Sequence, residues 1–544
     1  MKKLVSRFMA VLMAMAMILS MSMTAFAAED ATRLTGTGKL TVNNTVAGKN
    51  LDLYQIFTAT KNEAGNVAYT LNPEYEGFFK ANVHGASTLT SEALSEAAYN
   101  YVKTQVGEDG KNGVHFAKVM LTWILSNTSA VDATHKTVPT ATGSTEIANL
   151  AYGYYVVYPL GAKDTSAAPG TGQDYTSVAS LVSVTDTHAA VNMKSNYPTV
   201  VKKVNDKNAD DVNLGDEVTY TLTSKVPDMT GYTSYVFNFK DTLSAGLTFK
   251  GITSVTVGSG ENVQNVTAGT GDNTYTLTPD GQNITITMNN FLTSNANKAG
   301  QEIKVTYTAT LNKDAVTGFD PNTNKATVEY SNKPGTDEKG ESEPSKVDVH
   351  TFDFTIFKYY LTGETKNALA NAEFELYKAN EAGDAADTNA KIKIVDEGKG
   401  VYRQATADEA KVTGFTSAKI VSDADGKVLV KGLDAGAYYL RETKAPDGYN
   451  KLLSDIKVEI KANYDTTTGK LTSYSVDYTY NGKTTNGTAI TDKDNHPEVP
   501  VENKTGAQLP STGSKGALMV TLAGIVLFGA LTASKAFGKK KAKN

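Results

Sequence analysis

Residues 217–224 read Glu-Val-Thr-Tyr-Thr-Leu-Thr-Ser, with Val218, Tyr220 and Leu222 at every second place and threonine between them. A strict two-residue period places one apolar face and one polar face on an extended chain, so the stretch reads as a half-buried strand. The same pattern returns at 283–289 (NITITMN), 303–309 (IKVTYTA) and 326–330 (ATVEY), with Gly, Asp and Asn between the runs. Short alternating strands separated by turn residues predict antiparallel sandwiches. Helical spacing is confined to Ser91–Val106 and Val114–Leu125, where Phe116, Val119, Met120 and Trp123 fall on one face as core packing.

The chain has 544 residues, which at ordinary domain size means about three domains. Composition shifts at 194–199 and 333–345 divide it accordingly. The fold expected is mainly β: three tandem Ig-like sandwiches, the first with helical insertions. There is no cysteine, which excludes thiol nucleophiles, disulfides and Cys-ligated metals. The six His are scattered without ligand spacing, so neither a metal nor a cofactor is expected. The Asp/Asn-rich stretch 205–211 has a composition that calcium loops use, though stretches of this kind are usually only turns.

The formal charge of −5 conceals basic ends. Lys2, Lys3 and Arg7 at one end and six Lys after residue 513 at the other leave −14 for residues 29–513. An acidic body argues against nucleic-acid binding. Residues 1–28 combine those N-terminal cations with the apolar run Phe8–Met23 and Ala25-Phe26-Ala27, and so read as a secretory signal peptide cleaved after Ala27 or Ala28. They hold seven of the twelve Met, leaving little oxidisable sulfur in the body. At the other end, Leu509-Pro510-Ser511-Thr512-Gly513 precedes an apolar run, Gly516–Ser534, and a lysine cluster. That run is long enough to span a bilayer, and the cluster would hold the tail in the cytoplasm.

Strand alternation also places charge in odd positions. In Thr199–Val204 (TVVKKV), Val200, Lys202 and Val204 share a face, leaving Lys203 toward water. Lys203 is the alternative, one residue away. A lysine turned into a core needs a partner, and 237–249 offers Asp241, while Asn324 shares a face with Ala326, Val328 and Tyr330. A second set has the same form: Phe354, Ile356 and Lys358 on one face, Glu442 in 438–449, and Asn503 at the end of a last strand. Burial favours the neutral forms of an amine and a carboxylic acid alike. A neutral amine held against an amide carbon is a nucleophile at very high effective concentration, and a carboxyl beside it can shuttle protons as ammonia leaves. The product would be a Lys–Asn isopeptide bond made without an outside enzyme. The plainer reading of the same residues is two buried ion pairs, or lysines that snorkel to the surface.

The C-terminal order of pentapeptide, span and basic tail resembles the LPxTG cell-wall sorting signal of Gram-positive surface proteins. Asp241–Phe249 (DTLSAGLTF), Leu369–Lys378 (LANAEFELYK) and Tyr438–Tyr449 (YYLRETKAPDGY) resemble the sortase-assembled pilin backbone subunits. The resemblance implies a CnaB/CnaA/CnaB-type series: signal peptide 1–28, N-terminal pilin domain 29–195, CnaA-like domain 196–348, CnaB-like domain 349–505, and sorting signal, transmembrane segment and tail 506–544. It implies cross-links Lys202–Asn324, assisted by Asp241, and Lys358–Asn503, assisted by Glu442. It further implies that a pilus sortase acts on Leu509, Pro510, Thr512 and Gly513, cutting after Thr512 and passing its acyl group to a lysine of an identical subunit. Lys194, before Tyr197-Pro198, is the first choice of acceptor; Lys163, after Tyr158-Pro159, is the second. Thr199 stands where the family's motif has its lysine. Tyr154-Tyr155-Val156-Val157 lacks the glutamate of the third module, so no cross-link is expected in the first. Other implied partners are minor pilins, peptidoglycan through a housekeeping sortase, and host surface ligands, at the surface of a Gram-positive cell wall. A monomeric wall-anchored adhesin is the alternative function; a secreted hydrolase finds no motif to support it.

Overall fold

A computed structural model describes residues 35–107, 113–162, 179–193, 197–229 and 232–506. The signal peptide, Lys163, Lys194 and the whole sorting signal lie outside the described residues. Among the described residues no helix is long and apolar enough to cross a membrane.

The architecture is mainly β, as the alternation predicts. Contacts divide the chain into two compact units, the first reaching Thr351 and the second beginning at Phe352, with Thr406–Asp408 and Asn463–Thr472 assigned to the first. Both stretches expected as the first two modules fall in that first unit. Strand Ser345–His350 runs across the boundary expected at 348/349.

In the N-terminal stretch, Asn50–Lys61 pairs with Val67–Leu71, His135–Pro139 and Gly153–Pro159, and Thr37–Thr45 pairs with Gly143–Ala151 and Ala189–Asn192. Asn50–Lys61 is buried on both faces, a pattern that goes with cover on each side. Leu51 and Leu53 join Leu40, Val42, Tyr155 and Val157 in one core, whereas Tyr54 and Ile56 join Phe78, Leu94, Phe116 and Met120 in another. The second core is roofed by helices Ser91–Val106 and Gly113–Ser126, both foreseen, and by Glu76–Asn82, which the sequence pattern did not reveal. Two lysine contacts join this stretch to the next: Lys333 Nζ stands 2.5 Å from Oδ2 of the buried Asp52, and Lys49 Nζ reaches the Glu341 carbonyl.

The second stretch is a two-sheet sandwich. One sheet runs Val201–Val204, Glu217–Lys225, Glu302–Leu311, Leu247–Val257 and Gln264–Asn265; the other centres on Asn283–Met288, Phe237–Leu243, Asn322–Ser331 and Ser345–His350. Val218, Tyr220 and Leu222 point inward as the alternation requires. The last strand is Ser345–His350, antiparallel to Asn322–Ser331 and parallel to Ala209–Asp211, so Asn324 lies on the penultimate long strand. Two strands, Lys339–Glu341 and Ser345–His350, follow it within and just after the composition shift at 333–345.

The second unit is also a sandwich. Phe352–Thr362 pairs with Thr365–Ala368, Lys427–Leu433 and, in parallel, Glu498–Glu502; opposite it, Gly436–Lys444 lies between Glu373–Ala379 and Ile456–Tyr464.

Candidate functional site

Alternation settles which lysine faces the first core. Val201 is 52% exposed, whereas Lys202 is 2% exposed. Lys203 turns outward and its Nζ donates to Asn208 Oδ1. Lys202 comes from one sheet and Asp241 from the other, and Nζ lies 2.5 Å from Asp241 Oδ2 with both side chains fully buried. Asn324 is adjacent because Leu243 and Asn324 are register partners.

A residue that the sequence reading missed sits at the centre. The Tyr307 hydroxyl accepts from Lys202 Nζ (2.7 Å) and from Asn324 Nδ2 (2.7 Å) and donates to Asp241 Oδ2 (2.7 Å). Its ring stacks on Tyr220, its cross-strand partner, and both rings flank the Lys202 ammonium at about 5 Å. The period of 303–309 puts Tyr307 inward, which was the available signal, but nothing in the sequence aligns it with Lys202.

Asp241 Oδ1 and Asn324 Oδ1 have no hydrogen-bond partner among the described residues. Buried atoms of this kind are costly and call for a reason. Burial pushes the Lys202 amine down to about 8, against the pull of the Asp241 charge. Burial and the same carboxylate hold the Tyr307 phenol well above its ordinary range.

The second site is built differently. Lys358 and Asn503 come from one sheet, since Lys358 is in parallel register with Val501 and the Asn503 amide donates to the Tyr359 carbonyl (2.9 Å). Glu442 reaches in from the opposite sheet. Its Oε1 lies 3.1 Å from Lys358 Nζ, both side chains fully buried, without the alignment of a hydrogen bond. Its Oε2 accepts from Asn503 Nδ2 (3.1 Å) and from the Leu452 amide (2.8 Å). Asn503 Nδ2 also donates to the Asn450 carbonyl (2.9 Å), a positioning contact with no sequence signal, while Asn503 Oδ1 is unpartnered among the described residues. Burial lowers the Lys358 amine to about 8, opposed by Glu442.

Each site therefore presents an amine made easier to deprotonate, a carboxyl beside it, and a side-chain amide in contact with that carboxyl or its tyrosine. Among the described residues no cluster of His, Asp and Glu could hold a metal ion. In the 205–211 loop Asp210 binds Asn205 Nδ2 and Lys207 Nζ.

Comparison with known proteins places this geometry in context. Residues 214–334 match the family described as Gram-positive pilin backbone subunit 2, Cna-B-like domain, where the sequence resemblance implied a CnaA-like type. Residues 356–475 match the prealbumin-like fold domain family. The trypsin-resistant surface T6 protein of Streptococcus pyogenes serotype M6 is 27% identical over 319 residues, 53% of this chain; the match spans about half the length of that relative. Among solved structures, the T6 backbone pilin of serotype M6 Streptococcus pyogenes is 16% identical, covering 88% of this chain and all of that one, with a TM-score of 0.44. The group B streptococcus pilus 2b backbone protein is 26% identical, covering 57% of this chain and 99% of that one, with a TM-score of 0.40.

Proposed function

The chain is a relative of the Gram-positive pilin backbone subunits, and from that premise we propose that it is the repeating shaft subunit of a covalent cell-surface pilus. A pilus sortase cuts after Thr512 and joins it to Lys194, or failing that Lys163, of an identical subunit. Minor pilins share the fibre, and a housekeeping sortase attaches it to peptidoglycan. The chain is the substrate of this chemistry, not an enzyme.

The observation that carries the reading is the twice-built arrangement of a shielded lysine, a carboxyl and an asparagine amide. The Lys202 amine in its neutral form attacks Asn324 Cγ; the Nζ–Cγ bond forms, the Cγ–Nδ2 bond breaks, and the proton lost by Nζ is returned to Nδ2, which leaves as ammonia. Asp241, the carboxyl bonded to the amine, assists by holding Nζ and stabilising the charge that develops on it. Lys358, Asn503 and Glu442 follow the same course. Each bond closes a long loop, which by analogy with disulfides restricts the unfolded chain strongly, and it survives reducing conditions. Asn503 lies six residues before Leu509, so tension arriving through Thr512 would meet a cross-linked strand almost at once.

The test is an immunoblot of boiled wall extracts from cells that carry the pilus sortase. A ladder of covalent multimers is expected, collapsing in Lys194→Arg. A single band would leave a monomeric wall-anchored adhesin and end the shaft reading; a ladder unchanged in Lys194→Arg moves the acceptor to Lys163.

A further inference from the structure

The two sites solve one geometric problem with different parts. At the second, a single carboxylate touches both reactants, with Glu442 Oε1 beside Lys358 Nζ and Oε2 bonded to Asn503 Nδ2. At the first, the acid is an aspartate, one methylene shorter. Its Oδ2 meets Lys202 Nζ, but Asn324 Nδ2 is bonded to the Tyr307 hydroxyl instead. Among the described residues, that hydroxyl is the one group in hydrogen-bond contact with the nucleophilic nitrogen, the carboxylate and the departing nitrogen together.

We propose that Tyr307 is a catalytic residue of cross-link formation at the first site, relaying the proton from Lys202 Nζ to Asn324 Nδ2 across the gap that Asp241 is too short to bridge. The inference rests on the reading that Lys202 and Asn324 become joined. As the Nζ–Cγ bond forms and Nδ2 turns from a planar amide into a basic amine, the Tyr307 oxygen accepts a proton from Nζ while its own proton, directed at Asp241 Oδ2 in the resting site, swings to Nδ2. The Cγ–Nδ2 bond breaks, ammonia departs, and the hydroxyl ends as it began. Asp241 Oδ2, accepting from both the amine and the hydroxyl, holds the line of atoms and stabilises the positive charge that develops on Nζ. The phenol is far too weak an acid, in this buried place, to serve as a standing phenolate base. A relay that takes one proton while releasing another needs no such state.

Tyr307→Phe removes the hydroxyl and keeps the ring stacked on Tyr220. Full-length chain made in a cell-free system would be pulse-labelled, sampled over time, digested, and scored by mass spectrometry for the Lys202–Asn324 and Lys358–Asn503 linked peptides. Amide exchange along Glu302–Leu311 would report the fold. The expected result is a first-site rate reduced on the order of 100-fold, the usual worth of a positioned proton-transfer group, with the second bond and the exchange protection unchanged. A first bond formed at the wild-type rate overturns the proposal, and so does loss of protection together with the bond, which reduces Tyr307 to packing. Absence of the first linked peptide from the wild-type chain would instead bring down the cross-link reading on which the proposal stands.

Discussion

Lys202 and Asp241 face each other from opposite sheets of one sandwich, Nζ to Oδ2 at 2.5 Å, with neither side chain exposed. Removing one partner leaves the other's charge buried, and it also removes the acid from the reaction. In Asp241→Ala the intact mass should show the loss of one ammonia equivalent where the wild type shows two, the missing one mapping to the first site. Glu442→Ala should show the converse. Loss of both equivalents in either variant would mean that these carboxyls do not assist.

Stability against pH offers a separate check through Asn324→Ala, which keeps the amine but cannot form the bond. The Lys202 pKa is lowered by burial to about 8 from 10.5. Between those values the unfolded chain carries a proton that the folded chain does not, so folding is favoured increasingly as pH rises through the window. It is least favoured below 8 and levels off above 10.5. The gain is on the order of 1.4 kcal/mol per unit of separation. Urea unfolding at several pH values, compared with the cross-linked wild type, should show this extra upward slope; a flat or falling difference contradicts it.

Asp52 is fully buried and its Oδ2 is held by Lys333, 281 residues away in sequence. Lys333→Met removes the only cation on that buried carboxylate among the described residues, leaving it the Thr137 amide and the Tyr54 hydroxyl, and should cost up to about 3–5 kcal/mol. The double change with Asp52→Asn should recover most of the loss, because no charge is left unpaired. Thermal unfolding of the two variants measures both, and equal melting temperatures would show that the pair contributes nothing.

Gly426 adopts φ +68°, and a Cβ there would lie 2.2 Å from the Lys358 carbonyl oxygen and 3.0 Å from the Leu369 nitrogen. Its own carbonyl accepts from the Lys358 amide at 2.6 Å. Gly426→Ala should cost about 1–3 kcal/mol in strain and, by moving the Lys358 backbone, slow the second bond while leaving the first untouched. Peptide mapping distinguishes the sites; equal yields of both bonds would rule the effect out.

Much of this was legible because a strand's two-residue period is a strict rule. One face of TVVKKV had to be buried, and the flanking valines chose Lys202 over Lys203. The same rule turned Lys358 inward. Glu442 stood out as the carboxyl that 438–449 offers, and the resemblance of that segment to the pilin subunits singled it out further. Tyr307 was not legible, since the register between Glu302–Leu311 and its neighbours decides what it meets, and register is a property of paired strands. The Asn450 carbonyl and the Asp52–Lys333 pair escaped for the same reason: each depends on long-range placement. Helix Glu76–Asn82 is too short to display a period. Lys194, Lys163 and Leu509–Gly513 rest on sequence motifs alone.

Ser345–His350 follows Asn324 in the chain and is held to its sheet by non-covalent contacts: ladder hydrogen bonds with Asn322–Ser331 and Ala209–Asp211, side-chain hydrogen bonds at Ser345 and Asp348, and the packing of Val347 and Val349. With Lys202 and Asn324 joined, everything between them is sheltered from a pull along the backbone, but Lys325 to His350 remains in series with the load. Were that stretch to peel away, both covalent links would stay closed while roughly 90 Å of contour was released at about 3.4 Å per residue. A subunit built this way would have reversible slack of fixed length, set by where the asparagine sits, and a stiff limit beyond it.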